Sequence, residues 1–243
     1  MCGRCSMRDM NQKGAEGIDC EIPALPKNRF NMTPSEDGII VRLNDAGEMY
    51  ASVAKWGFFP SWMKEDPEEE PEKDLLGDAK KPAKKKKRSN KEGWPLATAE
   101  KVDSLGLFKS AFRSHRCLIL ADGFYEWQGE RPPKQPYFIH RPDDSVFAIA
   151  GIWGMRNKQD GTKELNYAMI TTTPNGVMEP IHNRMPVILA VKDYRTWLNP
   201  KTDIDALKGL LVPCPDDNLE AFKVRTYVNK PQNDSPDCMR PIP

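Results

Sequence analysis

The chain has 243 residues, 39% of them hydrophobic and 29% charged, with a formal net charge of +1. That length suffices to bury a core in one large domain or two small ones, and the near-neutral balance excludes binding to nucleic acid by bulk charge, leaving only local clusters of Arg and Lys to do it. No run has the length of an apolar membrane span, and residues 1–20 lack the apolar stretch of a signal peptide.

A reducing compartment is therefore expected. The six scattered cysteines, Cys2, Cys5, Cys20, Cys117, Cys214 and Cys238, read as free thiols rather than a disulfide framework.

The chain opens Met1-Cys2-Gly3-Arg4-Cys5. Methionine before a small residue is normally trimmed, which would leave Cys2 with a free α-amine beside its thiol. With reference pKa values of about 8 and about 8.5, both groups are partly available as nucleophiles near neutrality. An aldehyde would form a Schiff base with the amine, and the thiol would close a five-membered thiazolidine at high effective molarity, with no metal or cofactor. The bland alternatives are a loose tail residue and half of a C-x-x-C zinc site, for which two further ligands at similar spacing are missing.

Short apolar runs bounded by turn residues predict strands over 38–41, 51–56, 116–120, 123–127, 137–139, 146–153, 167–172, 186–190 and 222–228. Helices are expected over 191–198, with Asp193, Tyr194 and Trp197 on helical spacing, and over 204–211. Many short strands, few helices and no βαβ rhythm predict an α+β fold that is β-rich.

Trp56-Gly57-Phe58-Phe59-Pro60-Ser61-Trp62 is dense in aromatics that suit either a core or stacking on bases. Trp56 and one Phe are expected inside and Trp62 outside. Residues 64–95 carry an acidic block and then Lys80-Lys81-Pro82-Ala83-Lys84-Lys85-Lys86-Lys87-Arg88, and read as a disordered charged insertion. The basic block suits a nuclear localisation signal, a DNA-contacting arm or a solvated charge run.

Asp122-Gly123 marks a tight turn between two strands. In the following Phe124-Tyr125-Glu126-Trp127, a carboxylate flanked by aromatics on a strand is shielded in the way proton transfer requires, although an outward-facing Glu fits the pattern equally. Of three histidines, His115 reads as surface and His140 as the end of a strand. His182, in the Pro-bracketed Pro180-Ile181-His182-Asn183-Arg184-Met185-Pro186, is the best general acid or base.

In this order these segments resemble the SRAP (SOS response-associated peptidase) family, in its eukaryotic form. The matching stretches are MCGR at the start, RFNMTPSE at 29–36, WGFFPSW at 56–62, FKSAF at 108–112, RCLILADGFYEW at 116–127, KQPYFIHRP at 134–142, AIAGIW at 148–153, PIHNRMPVIL at 180–189 and VNKPQNDSPDC at 228–238.

The resemblance implies a single domain over the whole chain with a barrel-like β core flanked by helices, a monomer without cofactor, metal or membrane partner, and a groove for single-stranded DNA containing abasic sites. It implies that Cys2 forms a thiazolidine crosslink to the ring-opened sugar, with Glu126 and His182 handling protons. DNA contacts would come from Arg4, Asn31, Pro34, Trp62, Lys109 and Arg184. Leu96 and Thr98 stand where the family usually has Asn and Arg, which implies one phosphate contact fewer and a salt slope lower by about one unit. A nuclear location, with some cytoplasmic protein, follows from the Lys-rich run. Rival readings are a cysteine peptidase using Cys2, Glu126 and His182, and a non-catalytic single-strand binder.

Overall fold

The computed structural model describes residues 3–63 and 93–242. Along the chain run β1 (Cys5–Met7), α1 (Met10–Lys13), β2 (Arg29–Met32), β3 (Asp37–Leu43), β4 (Met49–Trp56), β5 (Leu96–Thr98), α2 (Gly106–Ser114), β6 (Arg116–Ala121), β7 (Gly123–Gln128) and β8 (Gln135–His140). They are followed by β9 (Phe147–Asn157), β10 (Lys163–Thr172), β11 (Met185–Pro186), α3 (Tyr194–Leu198), α4 (Ile204–Gly209) and β12 (Glu220–Lys223).

Five strands close on themselves in the order β10-β4-β3-β6-β9, with β9 returning to β10 by an antiparallel ladder from Lys163↔Asn157 to Met169↔Gly151. Closure removes the open edges of a sheet, and the short strands β5 and β11 attach to β10 from outside the ring. A second sheet, ordered β12-β8-β7-β1-β2, shares the main core with this barrel through Cys5, Met7, Met32 and Phe124. The fold is thus α+β with few helices, as the run of short strands predicted, and has the barrel core that the family resemblance implied.

Within the barrel, β6 is covered on both faces. Every residue of β6 is buried, and α3 closes over it, with Trp197 Nε1 donating to the Cys117 carbonyl at 2.9 Å. Small residues in β9 permit close approach; a Cβ on Gly151 would meet the Ile119 side chain at 2.6 Å. Trp56 is fully buried, stacked on Tyr167 with centroids 6.5 Å apart, and its Nε1 donates to the Pro95 carbonyl at 2.9 Å. A side chain of this size contributes about 3 kcal/mol by burial.

Several expectations change. Phe58 and Phe59 are both buried, not one of them, while Trp62 is 69% exposed. The charged insertion ends before Gly93, because Trp94 bridges Phe58 and Pro95 accepts from Trp56. Residues 64–92, including the Lys-rich run, lie outside the described residues.

Asp122-Gly123 does turn the chain, but β6 and β7 do not form a hairpin. β6 joins the barrel and β7 the second sheet, with the Gly123 Cα tucked where a Cβ would strike the Phe138 ring at 2.2 Å. The strand expected over 186–190 shrinks to Met185–Pro186, and the one over 222–228 ends at Lys223 and is followed by a 3-10 turn over Thr226–Asn229.

α2 went unread, although Phe108, Ala111 and Phe112 bury one face at helical spacing. Its start carries no capping side chain, which removes the usual signal. His115 is half-buried against the edge of Trp153, 4.5 Å between centroids, rather than on open surface.

Candidate active site

The N-terminal strand is positioned by charge. Asp122 has no exposed side-chain surface; its Oδ1 accepts from the Ser6 hydroxyl at 2.7 Å, and its Oδ2 receives Arg8 Nε and, at 3.2 Å, Lys13 Nζ. β1 then lies antiparallel to β7 with Cys5 opposite Phe124 and Ser6 opposite Gly123, and the Tyr125 amide donates to the Arg4 carbonyl at 3.0 Å. Continued by the same alternation, this register sets Gly3 opposite Glu126. Cys2 itself lies outside the described residues. Cys5 is a core residue whose thiol is pushed well up, first by burial and then by the charge of Asp122. It is inert as a nucleophile and poorly placed as a zinc ligand.

Strand alternation separates the two faces of β7. Tyr125 belongs to a small second core with Phe138, Val224, Val228 and Cys238, whereas Phe124 faces the main core and Glu126 shares its side. Glu126 is 1% exposed, and its Oε1 lies 3.8 Å from His182 Nδ1. The His182 ring is held edge-on by its own turn: the Arg184 amide donates to Nδ1 at 3.1 Å, and the Arg184 carbonyl is 3.2 Å away. A neutral ring accepts at that nitrogen, and a protonated ring donates from it toward the carbonyl or the carboxylate.

The turn that carries His182 is docked from three sides. Asn175, buried, accepts the Met178 amide at 3.1 Å and donates to the Cys214 carbonyl at 3.2 Å. Gln128, two residues beyond Glu126 on the same strand, donates to the Pro180 carbonyl at 2.8 Å and accepts the Tyr137 hydroxyl at 3.2 Å. Arg184 grips both Glu100 oxygens, at 2.6 and 3.0 Å, and the Thr171 carbonyl at 2.6 Å. Sequence reasoning missed Asn175, Gln128 and Glu100. Asn175 precedes Gly176 in a turn-like Pro174-Asn175-Gly176, which is a usable signal, but nothing local distinguishes Gln128 or Glu100 from any exposed polar residue.

The residues read as DNA contacts fall into different settings. Asn31, expected as a DNA contact, is fully buried. Its Nδ2 donates to the carbonyls of Val228, Lys230 and Asn233, and its Oδ1 accepts from Arg4 Nη1 at 2.7 Å. It folds the 228–234 segment against β2.

Arg4 helps in this, reaching the Val228 and Asn229 carbonyls at 2.8 and 3.3 Å with its guanidinium 5.7 Å from the Trp127 ring centre. These partners are neutral, so its charge stays available to an anion. Arg184 is shared with Glu100. Pro34 is half-buried, and Lys109 is exposed on α2. Leu96 and Thr98 sit in β5, opposite Met169 and Thr171 of β10, with the Thr98 side chain exposed.

The family described as SOS response associated peptidase (SRAP) matches residues 1–231. The chain belongs to the SRAP family. Among its relatives, the abasic site processing protein YoqW of Bacillus subtilis (strain 168) is 35% identical over 247 aligned positions, covering 98% of this chain and 99% of that protein. The abasic site processing protein HMCES of Xenopus tropicalis is 29% identical, covering 82% of this chain and 59% of that protein. A crystal structure of a Bacteroides thetaiotaomicron protein superposes with a TM-score of 0.78 at 23% identity, over 99% of this chain and all of that one. At that identity the likeness supports the fold.

Proposed function

We propose that this SRAP protein processes abasic sites in single-stranded DNA by crosslinking them covalently to Cys2 after Met1 is removed. The observation that supports the reading is the register of β1 on β7, which by continuation sets Gly3 opposite the buried Glu126, itself 3.8 Å from His182. The relatives named as abasic site processing proteins support it.

In the reaction, His182 gives a proton to the sugar ring oxygen and takes back the one released by the anomeric hydroxyl, so the deoxyribose opens to its aldehyde with no net change in protons. The Cys2 amine adds to the aldehyde carbon, Glu126 accepts a proton from the amine and returns it to the departing hydroxyl, and water leaves to give a Schiff base. The Cys2 sulfur then adds to the imine carbon while the nitrogen takes up a proton. The balance is aldehyde plus aminothiol giving thiazolidine plus one water. Arg4 and Arg184 bind the flanking phosphates, and Trp62 offers a stacking face. Peptidase chemistry, in this reading, is confined to the chain's own N-terminus.

Mass spectrometry of the mature N-terminus, before and after incubation with an abasic oligonucleotide, tests the reading. A mass gain equal to the oligonucleotide less one water is expected, resistant to denaturant and lost in Cys2→Ala. An adduct that forms equally in Cys2→Ala, or none in the wild type, overturns it.

Glu100 modulates the same surface. Its carboxyl is held below the ordinary range, first by the Arg184 hydrogen bond. The pair therefore persists at neutral pH and is lost only as the pH falls through that depressed value. A phosphate approaching Arg184 competes with Glu100. Glu100→Gln is expected to tighten binding of a plain single strand by about three- to tenfold at low salt, read by fluorescence anisotropy.

A further inference from the structure

Arg42 is only 8% exposed, yet among the described residues it forms no ion pair with a carboxylate. Its guanidinium is sandwiched between Tyr50 and Trp153, 4.7 and 4.5 Å from the ring centres. Nη2 donates to Ser52 Oγ at 3.1 Å, and Nε is buried with no hydrogen-bond partner. Arg116, 3% exposed, spends its donors on four carbonyls at the ends of α2 and α3, those of Phe112, Arg113, Trp197 and Asn199, all within 2.7 Å. Carbonyl dipoles solvate a cation without cancelling it, and buried charges normally carry a counter-charge.

His115 lies beside both. Burial first, then the charges of Arg116 and Arg42, push its imidazolium toward the neutral form, and burial alone pushes Arg116 down to about 10. Arg42 and Arg116 are thus two buried cations with a neutral imidazole between them, and among the described residues neither forms an ion pair with a carboxylate.

All three line one cleft of about 780 Å³, walled by the β3–β4 turn and by the segment that follows α3. Arg195 and Lys201 stand on its rim, and Asp45 is the one acidic residue among those lining it. The volume is ample for several phosphates. The cleft shares no lining residue with the Glu126–His182 site, and the proposed crosslinking makes no use of it. The geometry points to a second binding site, specific for phosphate groups, formed by Arg42, His115 and Arg116 with Lys201 at its mouth. The ligand is a phosphate-bearing polyanion, supplied either by the backbone of a nucleic-acid strand or by a free polyphosphate.

Arg42 and Arg116 are too integral to replace, so the test uses the exposed Lys201 together with His115. Sodium tripolyphosphate is titrated by calorimetry into the full chain, Lys201→Glu, His115→Gln and the charge-matched control Lys223→Glu, which lies on β12 outside the cleft. Wild-type binding with shifted His115 ring resonances is expected, weakened about tenfold in Lys201→Glu and several-fold in His115→Gln, and kept in Lys223→Glu.

A plain single-stranded oligonucleotide, titrated in parallel, distinguishes the sources. A matching loss assigns backbone phosphates, and retention assigns a free polyphosphate. No wild-type binding of either probe, or equal losses in Lys201→Glu and Lys223→Glu, overturns the site. Because Cys2→Ala leaves the cleft intact, binding there stands or falls independently of the crosslink.

Discussion

Glu126→Gln is expected to slow adduct formation with an abasic oligonucleotide by about 10²- to 10³-fold, the usual effect of removing a positioned general acid or base. The substitution preserves shape at a 1% exposed position, so the loss reports proton transfer rather than packing. An amide can neither accept the proton released when an amine adds to an aldehyde nor return it to the departing hydroxyl. It also replaces the carboxylate oxygen 3.8 Å from His182 Nδ1. The measurement is a single-turnover time course on denaturing gels, with thermal melting as a control. Melting should change little while the rate collapses. A wild-type rate in Glu126→Gln would remove Glu126 from the chemistry and leave the crosslink to the intrinsic reactivity of an aminothiol.

The second large effect concerns stability. Asp122→Ala is expected to destabilise the fold by about 3 kcal/mol, in line with breaking a buried ion pair from one side. Three donors converge on this carboxylate: the Ser6 hydroxyl, Arg8 Nε and Lys13 Nζ. Alanine leaves Arg8 and Lys13, with side chains 17% and 30% exposed, without a counter-charge, and leaves the Ser6 hydroxyl unpaired in a buried position.

Urea titration should show the midpoint fall with the slope unchanged, and the melting temperature should drop by roughly 10 °C at about 2–4 °C per kcal/mol. Since the same contacts seat β1 against β7, the crosslinking rate of the folded fraction should fall as well. A stable variant that crosslinks normally would mean that the Cys5–Phe124 pairing alone guides the N-terminus.

The site was legible to very different degrees. Glu126 and His182 could be singled out because a carboxylate between aromatics and a histidine between prolines are unusual local patterns, and the structure brings the two together from segments 56 residues apart. Asn31 looked the same in sequence as any polar residue of a binding motif. Its amide is instead consumed by carbonyls near residues 228–233, a partnership between distant segments that no local pattern encodes. Gln128 and Glu100 were invisible for the converse reason: they are ordinary side chains made important by what they touch, the Pro180 carbonyl and Arg184. The Arg42 cluster is the extreme case. Arg42, His115 and Arg116 come from β3 and from the junction of α2 with β6, and only barrel closure sets them around one cleft.

By itself the sequence determined the class of the fold, the placement of most strands, the family and the chemistry open to an N-terminal cysteine, because these depend on periodicity, composition and covalent structure. The tertiary structure decided which sheet each strand joined. The six-residue strands β6 and β7, separated only by Asp122, look like a hairpin, yet they diverge into two sheets. Asp122 binds Ser6, Arg8 and Lys13 at that corner, and the Phe138 ring leaves room there only for a glycine at 123. That divergence puts Glu126 on the strand that pairs with β1 and within 3.8 Å of His182, a consequence of long-range packing that no window of sequence contains.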